Sequence, residues 1–216
     1  MIKAKGALLG AMTAGAAVLT SFGAPVASAQ DMGDVLVRCQ NIDTAAKARI
    51  ELCSQLVDSR SADAELRAEA LLNRGDAHED AGDDEAALKD YSAAIALNPD
   101  YPAPYGYRGA LHERLDRFEE AVKDFTVVLR DRPDDRDVLH ARARSYLVLG
   151  KAAESAKDYD ALVKLDGKDI EALLGRGAAR EEIGDKAGAT ADYRAVLGLE
   201  AENADAKQGL DRLGSG

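Results

Sequence analysis

Residues Ala68 to Tyr101 read AEALLNRGDAHEDAGDDEAALKDYSAAIALNPDY, and the same pattern recurs without a gap over 102–135, 136–169 and 170–203. Each block of 34 residues places an arginine seventh (Arg74, Arg108, Arg142, Arg176) and an aspartate with an aromatic at the twenty-third and twenty-fourth positions (Asp90-Tyr91, Asp124-Phe125, Asp158-Tyr159, Asp192-Tyr193). A fixed period of this size marks stacked units that cannot bury their apolar faces alone. Within each block two apolar stripes at helical spacing flank a turn, so each unit is expected to be a helical hairpin. The turns fall at Gly82-Asp83, Asp116-Arg117, Gly150-Lys151 and Gly184-Asp185, and glycine supplies left-handed geometry in three of them. Pro99 and Pro133 end second helices, because proline cannot continue the hydrogen-bond pattern.

The small residue at the eighth position (Gly75, Gly109, Ala143, Gly177) lets the first helix approach the second. The second-helix stripes Ala87-Tyr91-Ala94, Ala121-Phe125-Val128, Ser155-Tyr159-Leu162 and Ala189-Tyr193-Val196 complete the set. On these residues the chain resembles the tetratricopeptide repeat (TPR) family, over 68–203. The resemblance implies an all-α solenoid of helical hairpins with a right-handed superhelical course, four full repeats, and peptide or helix binding on an inner surface made chiefly by the first helices. Carried over position by position, that groove comprises Glu69, Leu72, Asp76 and Glu79, then Tyr107, Glu113 and Arg114, then His140 and Arg144, and finally Leu174 and Glu181. The lysine and asparagine pattern with which some TPR proteins grip a terminal carboxylate is missing: Leu72 and Asp76 stand where it would begin.

Outward from the repeats, residues 1–29 carry Lys3 and Lys5, an alanine-rich apolar run and Ala27-Ser28-Ala29 before Gln30. This reads as a cleaved secretory signal, the apolar run being too short and interrupted for a spanning helix, with the mature chain starting at Gln30 in the periplasm or outside the cell. Residues 30–67 form an incomplete first hairpin and a connector. Cys39 and Cys53 are the only cysteines, and in an oxidising compartment an even count favours a bond between them. A cysteine-paired half-hairpin ahead of TPR blocks also resembles exported bacterial TPR proteins. Residues 204–216 give a short amphipathic helix, with Leu210 and Leu213, that should cap the last hairpin.

The charge excludes some partners. The whole chain carries −11; without Lys3 and Lys5, 26 basic residues face 39 acidic ones, which makes −13. Such a chain lacks the basic stripe that nucleic acid requires and is repelled by anionic lipid. The three histidines, His78, His112 and His140, sit in no metal, phosphate or nucleophile motif, so neither cofactor nor catalysis is expected. The expected role is a non-catalytic adaptor or scaffold, a monomer or weak dimer, that holds a partner segment with an apolar centre and basic flanks. A subunit stacking end to end is the alternative, and an enzyme ranks last. The recurring charges are expected to be structural, pairing Asp90 with Arg108, Asp124 with Arg142 and Asp158 with Arg176 across block boundaries; pairing inside a block is the competing arrangement.

Overall fold

The computed structural model describes residues 29–214, so the expected signal segment lies outside the described residues but for its last position. Among those described there are eleven helices: α1 (Ala29–Gln40), α2 (Ala46–Val57), α3 (Ala64–Asp80), α4 (Asp84–Leu97), α5 (Pro102–Arg114), α6 (Phe118–Asp131), α7 (Arg136–Val148), α8 (Ala152–Leu165), α9 (Ile170–Glu182), α10 (Lys186–Leu199) and α11 (Ala204–Gly214). Aspartates set the starts. The side chains of Asp63, Asp83, Asp135, Asp169 and Asp185 each accept a hydrogen bond from a first-turn N–H, satisfying a donor with no partner inside the helix. Left-handed residues set the hairpin turns: Gly82, Gly150 and Gly184 at φ 78°, 68° and 82°, with Asp116 adopting the same geometry at φ 57°.

Each helix packs against its chain neighbours. Successive first helices also touch (α1 with α3, α3 with α5, α5 with α7, α7 with α9, α9 with α11), whereas no two successive second helices do. The array therefore curves with its first helices inside.

The core is built around the aromatic at the twenty-fourth position. A Cβ on Gly75 would lie 2.5 Å from Tyr91, one on Gly109 2.8 Å from Phe125, and one on Gly177 2.7 Å from Tyr193; a methyl group there would force the ring or the helix to shift. The other edge of each ring meets the sixth position of the following block: Tyr107 beside Tyr91, Ala141 beside Phe125, Gly175 over Tyr159, Gly209 over Tyr193. Tyr91, Phe125, Tyr159 and Tyr193 are all at most 2% exposed, and burying a side chain of this size stabilises the fold by roughly 2–3 kcal/mol. Because Gly209 occupies the sixth position of a further block, α11 is a fifth first helix, with Leu210 and Leu213 packed on the core below it.

This contact also decides the charge register, and the cross-boundary pairing expected from the sequence is wrong. The eighth position meets the twenty-fourth of its own block, so the seventh must face its own twenty-third. Arg74 grips Asp90 in a two-pronged pair at 2.7 and 2.8 Å, and Arg108–Asp124, Arg142–Asp158 and Arg176–Asp192 repeat it. The aspartates are nearly buried, where an unpaired charge would be strongly unfavourable. What crosses the boundary is the third arginine donor: Nη1 of Arg74, Arg108, Arg142 and Arg176 reaches Ser54, Ser92, Thr126 and Asp160 of the preceding second helix, at 2.8 to 3.1 Å.

Ser54 thus holds the place of Ser92, and Cys53 that of Tyr91. Cys39 and Cys53 are joined by a disulfide with a Cα–Cα separation of 5.2 Å, and both are fully buried, so a covalent bond stands where the other hairpins have a ring against a small residue. Closing so short a loop is worth about 3 kcal/mol by chain-entropy reasoning. Beside it lies Arg49, 0% exposed. Its Nε donates to the Cys39 carbonyl, Nη1 to Asp80 at 2.5 Å, and Nη2 to Asp76.

Candidate binding groove

Places two, six and nine of the first helices face the inside of the curve. In the second and third blocks three of these six places are alanine (Ala103, Ala110, Ala141), and a depression of ≈ 490 Å³ lies between α5 and α7. Ala103, Gly106, Ala110 and Ala141 shape it together with Phe125 and Val138, and Tyr107 and Arg144 line it. Tyr107 is 46% exposed, and its ring centroid lies 5.9 Å from that of buried Tyr91: one side rests on the stack, the other is open. A second depression, ≈ 460 Å³, lies between α7, α9 and α11 and shares Arg144 with the first. Leu174, Gly175, Ala178, Tyr159, Gln208 and Arg212 line it. The two form one groove of two cells.

The acidic residues at the two ends of the expected groove are engaged within the chain. Asp76 and Asp80 face Arg49 of α2. Glu79 accepts from the Tyr91 hydroxyl at 2.5 Å and from Arg114 at 2.7 Å, and Arg114 also binds Asp84. Glu181 is held by both prongs of Arg212 at 2.9 Å and by the Tyr193 hydroxyl at 3.0 Å; the Arg212 hydrogen bond holds its carboxyl below the ordinary range. Glu69 accepts from Gln40. Arg144 lies within 3.4 Å of Glu113 and 3.1 Å of Glu171. Burial opposes its charge, but these carboxylates outweigh burial and raise its pKa. Most first-helix carboxylates thus serve the stack as well as the surface.

Of the expected groove residues, Tyr107, Glu113, Arg144 and Leu174 line the two cells, and Glu69, Leu72, Asp76, Glu79, Arg114, His140 and Glu181 do not. Leu72 is 7% exposed and packs with Tyr91 and Leu111, because the fifth position faces the next block's first helix. His140 is tied by Nε2 to Asp169 at 3.0 Å and sits edge-on to Tyr159; it lines neither cell. The sequence reading missed Gln208 and Arg212. Their signal was present: in ADAKQGLDRLG, Gly209 and Arg212 stand at the sixth and ninth positions of a first helix, and Arg212 reaches back to Glu181 as Arg144 does to Glu113.

A family profile described as TPR repeat matches residues 75–116, and a second, described as Tetratricopeptide repeat, matches 140–206. The chain is a tetratricopeptide repeat protein. Solved structures agree on the fold. A TPR protein from Parabacteroides merdae superposes with TM-score 0.68 at 18% identity, over 85% of this chain and 72% of that one. A MamA structure gives 0.65 at 17%, over 80% and 95%, and MamA from Desulfovibrio magneticus RS-1 gives 0.66 at 16%, over 81% and 96%. No curated protein sequence matches. TPR arrays generally serve as protein-interaction modules or scaffolds, and that is the role the fold supports here. Among the described residues no helix is long and apolar enough to cross a membrane, and no group of histidine, cysteine and acidic side chains is placed to hold a metal ion.

Proposed function

We propose that this TPR protein is an exported adaptor that holds a segment of an envelope protein in the two-cell groove, with Tyr107 and Arg144 at the centre of the contact. The observation that carries this is the first cell: an aromatic side chain half exposed and held on one side, over a floor of alanine and glycine backed by Phe125. Aromatic and arginine side chains dominate interface energies when they stand at the centre of a desolvated patch, and the small residues leave room for a ligand chain. The buried disulfide supports an oxidising location, in line with the expected export signal. A photo-cross-linking residue at position 107 should capture a protein in the native cell envelope, while the same residue at position 123 on the outer face should not. Against the captured partner, Tyr107→Ala with Arg144→Ala should weaken binding at least tenfold and Lys123→Ala should leave it unchanged. Equal affinity in a folded double variant would move the contact to another surface. End-to-end association has one observation in its favour, the exposure of Val37 (67%) and Ile42 (78%) at the α1 end. A protein that runs as a dimer or larger species on size exclusion, and becomes monomeric when both are changed to serine, would support that second reading.

A further inference from the structure

The four hairpins treat their core aromatic differently. In the first and fourth blocks the ring hydroxyl is satisfied internally, Tyr91 by Glu79 and Tyr193 by Glu181, both glutamates at the twelfth position. The second block has Phe125, which needs no partner, and its twelfth-position Glu113 turns to Arg144. The third block keeps a tyrosine, Tyr159, but places Leu147 twelfth. Tyr159 is 2% exposed, and among the described residues its hydroxyl makes no hydrogen bond. Its ring lines the second cell, directly under Gly175, where a Cβ would come within 2.2 Å of Cζ. Burial pushes this hydroxyl up to about 12, so it stays protonated and is a donor.

Resting on the groove reading above, we infer that the second cell is a hydrogen-bonding subsite in which the Tyr159 hydroxyl donates to a main-chain carbonyl of an extended, lysine- or arginine-bearing peptide. The hydroxyl is not among the sealed polar atoms that lack a partner, so it reaches the solvent of the second cell that its residue lines, and a ligand carbonyl there would replace water on a donor that no group of the described residues uses. Gly175 and Ala178 bring the surface close to the backbone of α9, which suits a peptide main chain more than a bulky side chain. The acceptor is a neutral carbonyl because charge disfavours an acid. Glu113, Asp137, Glu171 and Asp205 line the two cells with Arg132, Arg144 and Arg212. Arg132 and Arg212 are each also held by a further carboxylate, Asp135 and Glu181, which makes six acidic groups against three basic ones. The surplus favours ligand cations beside the bound carbonyl.

The probes are N-acetylated, C-amidated dodecapeptides with an apolar centre and lysines on both flanks, and the same peptides with glutamate for lysine, measured by fluorescence anisotropy. Blocked ends remove any terminal carboxylate. The lysine peptides should bind and the glutamate peptides should not. Tyr159→Phe, which keeps the ring and should keep the melting curve, should weaken binding roughly three- to tenfold, the range for one neutral hydrogen bond. Leu147→Glu recreates the internal acceptor of the first and fourth blocks and should also weaken it; if the hydroxyl were idle, the added negative charge would tighten binding to lysine peptides instead. Wild-type affinity in Tyr159→Phe with loss in Tyr107→Ala would overturn the subsite and leave the groove reading standing. Binding that neither variant changes would overturn both. Failure of every lysine peptide to bind, or equal binding of the glutamate series, would overturn the assignment of a basic extended ligand, while the cross-linked partner still tests the groove.

Discussion

The two ends of the array solve the same problem by different chemistry. A stacked repeat leaves an apolar face open at each end. At the first end α1 and α2 close it with a covalent bond and a fully buried arginine that binds two carboxylates of α3. At the other end α11 imitates the helix that would come next, laying Gly209 on Tyr193 and Arg212 on Glu181. The difference is one of partners. Among the described residues no aromatic precedes the first end for it to rest on, and it is fixed by bonds of its own, whereas the last end inherits a ready surface and needs only a matching shape.

Of three changes that probe the two ends, Arg49→Ala should therefore be the most damaging. It removes a charge from a buried site, leaves the Cys39 carbonyl without its donor and strips Asp76 and Asp80 of their partner, at a cost of about 3 kcal/mol, the low end for a broken buried pair because both aspartates keep some contact with water. Urea melts would give the size, and hydrogen exchange should localise the loss to α1, α2 and the end of α3. A loss spread evenly along the chain would contradict independent ends. Next comes Gly209→Val at about 2 kcal/mol, since side-chain atoms would be forced into the Tyr193 ring. Its exchange signature should be early opening of α11 and α10 while α1 to α4 keep their protection. The smallest effect belongs to Arg212→Ala. Its ion pair is half exposed, and such pairs are worth about 0.5 kcal/mol, so the midpoint should hardly move. A shift as large as that of Gly209→Val would mean that charge, rather than shape, holds the last helix.

The period, the hairpins and their turns were readable because each depends on local residues: a glycine at the turn, an aspartate at the helix start, a small residue opposite a ring. The charge register was not read correctly, although its key was in view. The close approach of Gly75 to Tyr91 within one block already places Arg74 against Asp90, and treating the arginine apart from its neighbour lost that constraint. The groove was only partly readable for a different reason. Side chains at the twelfth and thirteenth positions are mostly long, so whether Glu79 faces a ligand or Arg114 depends on the neighbouring block. Leu72 and His140 sit on the boundary of the inner face, where a small helix rotation separates surface from core. Tyr159 was counted only as core, because its open hydroxyl shows itself only when the fold puts Leu147 where Glu79 and Glu181 stand in the other blocks.

The arginine that binds its own hairpin and touches the one before it has a further consequence. Hairpins linked in this way cannot tilt independently, so their spacing along the array is held as on a ruled scale. Arg108 touches Ser92, Arg142 touches Thr126, and Arg176 bonds to a full charge at Asp160. The last of these links is the strongest of the three by chemistry. On the proposed groove reading, these links set the spacing between the Tyr107 cell and the Tyr159 cell, and a ligand whose anchor points match it would be selected by length as well as by composition.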